Sequence, residues 1–169
     1  ADKIIIPKNY QKFYTEKIAY LPHYQANYSK RNTFKKGILR SEFNIPNKSF
    51  VYSSFNNNYK INPTFFKMWM EILESVDNSY LLIYFENKWA RENLIKEAKN
   101  INIDLSRLIF VGRVAREEYF ARLKLADLFL DTSPYNGATT SSDALWTGLP
   151  VLTCIGQTFP SRICASILD

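Results

Sequence analysis

The sequence predicts an α/β fold, a doubly wound parallel sheet of the Rossmann-like kind. Three observations carry that expectation. From Ser49 onward, short apolar stretches alternate with amphipathic ones, the pattern of consecutive βαβ units. The polar, turn-rich segments suited to binding all follow apolar strands, which sets them at the carboxyl edge, where open parallel sheets take their ligands. At 169 residues, 46% apolar and 15% aromatic, the chain is large enough for one well-filled core.

Residues 50–55 form the first predicted strand. Asn62 and Pro63 then cap and start a helix, on one face of which Phe65, Trp69, Ile72, Leu73 and Val76 recur. Residues 80–85 are the second strand, and 89–100 a helix with Leu94, Ile95 and Ala98 turned inward. The third strand, 108–111, is closed by Gly112 and followed by a helix at 115–126. A fourth strand at 128–131, a short helix at 139–146, a fifth strand at 150–153 and a helix at 159–168 complete the lobe. Residues 1–48 fit this alternation poorly. Within them 3–6 reads as a strand, 9–20 as a loop or irregular helix, and 31–43 as a charged connector. The expected organisation is a connector at 1–48, packed against a preceding lobe, and a ligand-binding lobe at 49–169, cut at its carboxyl end.

Charge narrows the function classes. The net charge is +6, but the first 48 residues hold ten Lys/Arg against three Asp/Glu, so the excess belongs to the connector. No regular interleaving of basic and aromatic residues suggests base stacking, and nucleic acid is not expected as a partner. No apolar run approaches the roughly 20 residues of a membrane helix, and the first residues do not form a signal peptide. A soluble, cytoplasmic protein is expected. Cys154 and Cys164 lack metal-ligand spacing and read as reduced thiols in or near the core, and the lone His23, among Tyr20 and Tyr24, reads as structural. There is no glycine-rich phosphate loop of the kind used for ATP hydrolysis or nicotinamide binding, and no nucleophile paired with a base. The polar candidates therefore read as binding groups.

The most informative stretch is 131–150, where an apolar strand runs into a loop with one glycine, then into hydroxyls and a carboxylate that open a helix. Unpaired N–H groups and partial positive charge at a helix start suit a phosphate, and Thr139 and Thr140 lie beside them. The plainer alternative is a capping box between Thr140 and Asp143. Asp143, one turn into the helix, can accept two ribose hydroxyls. In the loop after the first strand, Lys60 can set its ammonium against a diphosphate, or be a solvated lysine. Tyr119 and Arg122, three apart on a helix, can flank a planar ring. Alternatively, Arg122 pairs with Glu118 and Tyr119 belongs to the core.

Residues 55–63, the helix of Trp69, Leu125-Ala126-Asp127 with Leu130-Asp131-Thr132, and the run from Asn136 to Pro150 together resemble the O-GlcNAc transferase family. The resemblance extends to Ser161-Arg162 and back to Ala19-Tyr20-Leu21-Pro22-His23, covering nearly the whole chain. It implies the C-terminal half of a GT-B glycosyltransferase, moving GlcNAc from UDP-GlcNAc to Ser or Thr of proteins without a metal. Position by position, it implies that Asn57 stands near the diphosphate and that Lys60 is the phosphate lysine, with a catalytic role. Arg116, Tyr119 and Arg122 fall on the segment that holds the nucleobase, Thr139 and Thr140 on the phosphate-binding threonines, and Asp143 on the ribose carboxylate. Ala138 replaces the histidine that animal members carry beside those threonines. A small residue stands there in the plant Spindly branch, which uses GDP-fucose, so that donor stays open. The protein acceptor is expected on the amino lobe or on tetratricopeptide repeats, and these residues alone are expected to be inactive. A nucleotide-sugar-binding module without transfer, or a glycosyltransferase acting on small acceptors, are the alternatives.

Overall fold

A computed structural model of the protein describes residues 1–23 and 37–169. Five strands, β1 (Phe50–Ser54), β2 (Ser79–Tyr84), β3 (Leu108–Val111), β4 (Leu128–Leu130) and β5 (Val151–Leu152), form one sheet in the order β3-β2-β1-β4-β5. Every pairing is parallel. The helices are α1 (Pro63–Ser75), α2 (Lys88–Asn100), α3 (Arg116–Leu123), α4 (Thr139–Trp146) and α5 (Ile163–Leu168).

Alternation along the strands sends neighbouring residues into different cores. Val51, Leu82 and Phe129 pack with Phe120, Leu123 and Ala144 of α3 and α4. Tyr52, Leu81, Ile83 and Leu130 pack on the opposite face with Trp69, Met70 and Leu73 of α1 and Ala98 of α2. Apolar cover on both faces is the arrangement that parallel sheets require. On α1 the fully buried stripe is Phe66, Trp69, Met70 and Leu73, while Phe65, Ile72 and Val76 are half-buried at its border. The predicted face is therefore turned slightly from the true one.

Asn62 caps α1: its Oδ1 accepts the Phe65 amide at 3.0 Å, and its Nδ2 donates to the Ser133 carbonyl at 2.5 Å. Asn62→Ala is expected to cost about 1 to 2 kcal/mol, since a helix cap and a bond to a neighbouring loop are lost together. Urea denaturation of the two chains measures this.

Several boundaries depart from the sequence expectation. The fifth strand shrinks to Val151–Leu152. The expected helix at 159–168 starts with a 3-10 turn, Phe159–Ser161, in which Ser161 Oγ accepts from the Thr158 amide at 2.9 Å and donates to the Thr158 carbonyl at 2.8 Å, and becomes α-helical only at Ile163. Residues 3–6 form no strand. Asp2 Oδ1 accepts the Ile4 and Ile5 amides at 2.9 and 2.8 Å, folding that backbone into a turn. Lys8–Phe13 is a 3-10 helix, and the charged stretch expected at 31–43 lies partly outside the described residues.

The leading segment makes firm contacts within the chain. Ile5 and Ile6 are buried with Ile163, and Ile45 enters the core beneath α3 and α4. Arg40 ties the segment to the amino edge of the sheet. Its guanidinium donates to the carbonyls of Leu125 (2.9 Å) and Ser49 (2.8 Å) and pairs with Asp127 at 2.8 Å. Asp127 also accepts the Val51 amide at 2.8 Å. Cys164 is buried, and desolvation pushes its thiol up to about 12. Cys154 is exposed, contrary to expectation, because it follows the short edge strand β5. His23 is exposed as well, and Tyr24 lies outside the described residues. Among the described residues, no helix is long and apolar enough to cross a membrane.

Candidate nucleotide-binding cleft

The strand order reverses direction between β1 and β4, and the segments leaving their carboxyl ends diverge there to open a crevice. Asn56, just after β1, and Asp131, just after β4, join across this point. Asn56 Nδ2 donates to Asp131 Oδ1 at 3.1 Å, and both side chains are shielded from solvent. Asp131 Oδ1 also accepts the amides of Thr132 (2.8 Å) and Gly137 (2.6 Å), while Oδ2 accepts the Thr153 hydroxyl at 2.6 Å. Burial raises the Asp131 carboxyl above its usual value, and these donors oppose the shift. Asn56 Oδ1 receives the Thr140 hydroxyl at 2.6 Å, so the start of α4 is anchored to the loop after β1. Sequence reasoning overlooked Asn56 and Asp131 as organisers of the site. A carboxylate ending an apolar strand, and an asparagine directly after another strand, were the available signals.

This anchoring replaces the capping box. The cap residue of α4 is Ala138, whose methyl offers the first amides no side-chain hydrogen bond. Thr140 turns toward Asn56 instead of serving as half of a box with Asp143. Gly137 fits at this junction because it has no side chain. A Cβ there would lie 2.5 Å from both Ser141 Oγ and Thr140 Oγ1, and 2.9 Å from Asn56 Oδ1.

Two of the clefts at this edge hold the candidate residues. One, of about 710 Å³, is bordered by Asn57, Lys60, Ala138, Thr139 and Thr140, with Tyr59 and Tyr135 at its mouth. Lys60 Nζ donates to the Asn136 carbonyl at 3.0 Å and lies 4.2 Å from the centre of the Tyr135 ring. Desolvation lowers the Lys60 ammonium from its usual value, and Asp131 pulls it back up.

The other cleft, of about 450 Å³, is bordered by Arg116, Tyr119, Arg122, Thr140 and Asp143. It also includes Phe55, Tyr84 and the backbone run Val111-Gly112-Arg113-Val114, none of which was singled out as a site residue from sequence. Asp143 is almost fully buried, and its Oδ1 lies 4.0 Å from the exposed guanidinium of Arg116. Arg122 is held in place: it donates to Glu118 at 2.7 Å and to the Gly112 carbonyl at 3.1 Å. The i,i+4 pair raised by the sequence thus exists, half-buried, and Arg122 still reaches the cleft wall. Tyr119 packs beside Phe55 and Phe120, with ring centres 5.9 and 5.4 Å away. It belongs to the margin of the core and to the cleft together.

The nine predicted residues thus fall into two neighbouring clefts, and Thr140 borders both. A ligand bound across them has one part against arginine, tyrosine and a carboxylate, and another against an ammonium and an uncapped helix start. Such surroundings suit a ring with hydroxyls joined to a pyrophosphate.

Residues 36–169 match the family model described as glycosyl transferase family 41. A UDP-N-acetylglucosamine--peptide N-acetylglucosaminyltransferase of Caenorhabditis elegans is 37% identical over 129 residues, covering 76% of this chain and 11% of that protein. The probable UDP-N-acetylglucosamine--peptide N-acetylglucosaminyltransferase SEC of Arabidopsis thaliana is 30% identical over 177 residues, covering 98% of the chain and 18% of the relative. Among solved structures, a mutant of Thermobaculum terrenum O-GlcNAc transferase superposes with a TM-score of 0.83 at 24% identity, over 99% of this chain and 32% of that one. The chain thus spans less than a fifth of the length of these two curated relatives.

Proposed function

The chain belongs to glycosyl transferase family 41, and from that premise we propose that it forms the nucleotide-sugar-binding lobe of a transferase that glycosylates Ser or Thr of proteins. The observation that carries this reading is the meeting of two clefts at Thr140, at the switch point of the sheet. In this reading Arg116, Tyr119 and Arg122 hold the base, Asp143 accepts ribose hydroxyls, and Thr139, Thr140, Asn57 and Lys60 surround the diphosphate. The donor is UDP-GlcNAc, in keeping with the names of the relatives. Ala138 favours a second reading, GDP-fucose, because the resemblance sets a small residue at this position in the Spindly branch, which uses that donor.

The chemistry asked of these residues is modest. When the bond between the sugar and the diphosphate oxygen breaks, negative charge grows on the leaving group. The Lys60 ammonium and the amides at the start of α4 stabilise that charge, already positioned in a partly desolvated groove. The base that receives the acceptor proton is not among the nine residues, and the described chain by itself is expected to bind donor without completing transfer.

Thermal denaturation with UDP and with GDP tests the reading. A ligand at about 100 times its Kd adds about 2.7 kcal/mol to the stability of the native state. Lys60→Ala and Asp143→Ala are each expected to weaken the protecting nucleotide about tenfold to a hundredfold, as charge-assisted contacts are lost. Undiminished protection in both variants would remove the assignment of these two residues.

A further inference from the structure

The network at the switch point fixes which groups give hydrogen and which receive it. Four donors converge on the two oxygens of Asp131, so this carboxylate acts only as an acceptor. Asn56 must therefore turn its amide nitrogen toward Asp131 and its oxygen toward Thr140. A hydroxyl carries a single proton, and that of Thr140 is committed to Asn56 at 2.6 Å. What Thr140 retains for the clefts is its oxygen lone pairs.

We propose that Asn56 is a positioning residue for donor recognition, orienting Thr140 so that its side chain meets the ligand as a hydrogen-bond acceptor. The inference rests on the nucleotide-sugar reading and refines it. The two threonines, equivalent in the sequence, then have different tasks. Thr139, which makes no such commitment to Asn56, is the hydroxyl that can donate to a phosphate oxygen, together with Lys60 and the helix amides. Thr140, at the border of both clefts, keeps its backbone amide for the diphosphate, while its side-chain oxygen receives a hydrogen bond from a hydroxyl of the nucleotide sugar. Asn56 stands behind the wall of the larger cleft, fully buried, and acts on the ligand through Thr140.

An isosteric substitution tests this with a signature that mere damage does not produce. Asn56→Asp sets a second carboxyl against Asp131 at the distance of the present 3.1 Å bond. Two carboxyls so close share one proton, and the second ionisation is strongly raised. While that proton is held, the new carboxyl donates to Asp131 and accepts from Thr140, reproducing the native pattern. Once it is lost, the two carboxylates repel and Thr140 is released. Lys60, Cys164 and Asp143 are the other ionisable side chains around this network, and all three are present in the native chain, so the ratio of variant to native Kd at each pH isolates the effect of the substitution.

With UDP or GDP as probe, measured by calorimetry, the ratio for Asn56→Asp is expected to stay near one at about pH 5.5 and to rise about tenfold or more by about pH 8. Thr140→Val, which lacks the hydroxyl, is expected to bind about tenfold more weakly throughout that range. A ratio for Asn56→Asp that does not change with pH, or Thr140→Val binding like the native chain, would overturn the positioning role. If the native chain binds neither nucleotide, the nucleotide-sugar reading itself is overturned and this inference falls with it, an outcome distinct from the other two.

Discussion

Asp131→Ala is expected to destabilise the chain by about 3 to 5 kcal/mol, the largest effect of any single polar substitution considered for this site. The carboxylate accepts from the amides of Thr132 and Gly137, the side chain of Asn56 and the hydroxyl of Thr153. Truncation leaves these donors around a space closed to solvent, and a buried donor without an acceptor costs about 1 to 3 kcal/mol. Asp131→Asn should be much milder. Three of the four donors meet Oδ1, which asparagine retains, and the Thr153 hydroxyl can rotate to accept from the new amide. Its cost is expected to be about 1 kcal/mol or less.

The pair also predicts a pH dependence. Burial raises the carboxyl in the folded chain above its unfolded value, so between the two values the folded state holds more protons. Stability from this group is present below the unfolded value and is lost as pH rises through the folded one. The stability of Asp131→Asn relative to the native chain should therefore improve as pH rises out of the ordinary carboxylate range. Urea midpoints for the native chain and both variants, taken from about pH 4 to about pH 8, measure this. Asp131→Ala as stable as Asp131→Asn would show that the four donors do not depend on this acceptor.

Gly137→Ala is expected to cost about 3 kcal/mol and to remove nucleotide protection. The added methyl would meet the side-chain oxygens of Ser141, Thr140 and Asn56 at 2.5, 2.5 and 2.9 Å. Thr140 and Asn56 cannot withdraw freely, since Thr140 is bonded to Asn56 and Asn56 to Asp131, and Ser141 is buried. The start of α4 must move outward instead, carrying Thr139 and Thr140 away from Lys60. For a domain of this size the melting temperature should fall by about 6 to 12 °C. Denaturation scans with and without nucleotide separate the two effects. An unchanged melting temperature would mean that the junction is looser than these distances imply.

The order of elements was legible in the sequence because each helix and strand carries its own periodicity, and β1 to β4 begin within a residue of where apolar alternation sets them. The segments 3–6 and 159–161 were not legible. The first is shaped by the Asp2 side chain bonding the Ile4 and Ile5 amides, and the second by the Ser161 side chain bonding back to Thr158. At the site, Lys60, Thr139 and Asp143 were visible as charges and hydroxyls beyond strand ends. Asn56 and Asp131 escaped notice because their importance comes from facing each other across 75 residues of sequence, a relation that local pattern does not contain. For Thr140, the capping box stood as the alternative to a phosphate site because its neighbour three residues on is a carboxylate. Tertiary contact with Asn56 prevailed over that local option.

The clamp built by Arg40 fastens Leu125, Ser49 and Asp127 at the amino edge of the sheet, whereas both clefts open at the other end of the same strands. This clamp stands a strand's length from the ligand, whereas the Asp131 junction serves cohesion and recognition together. A lineage carrying this lobe can vary the outer wall of the clefts, such as the exposed Arg116, without disturbing either fastening, but a new sugar that required Asp131 or Gly137 to change would loosen the fold as well.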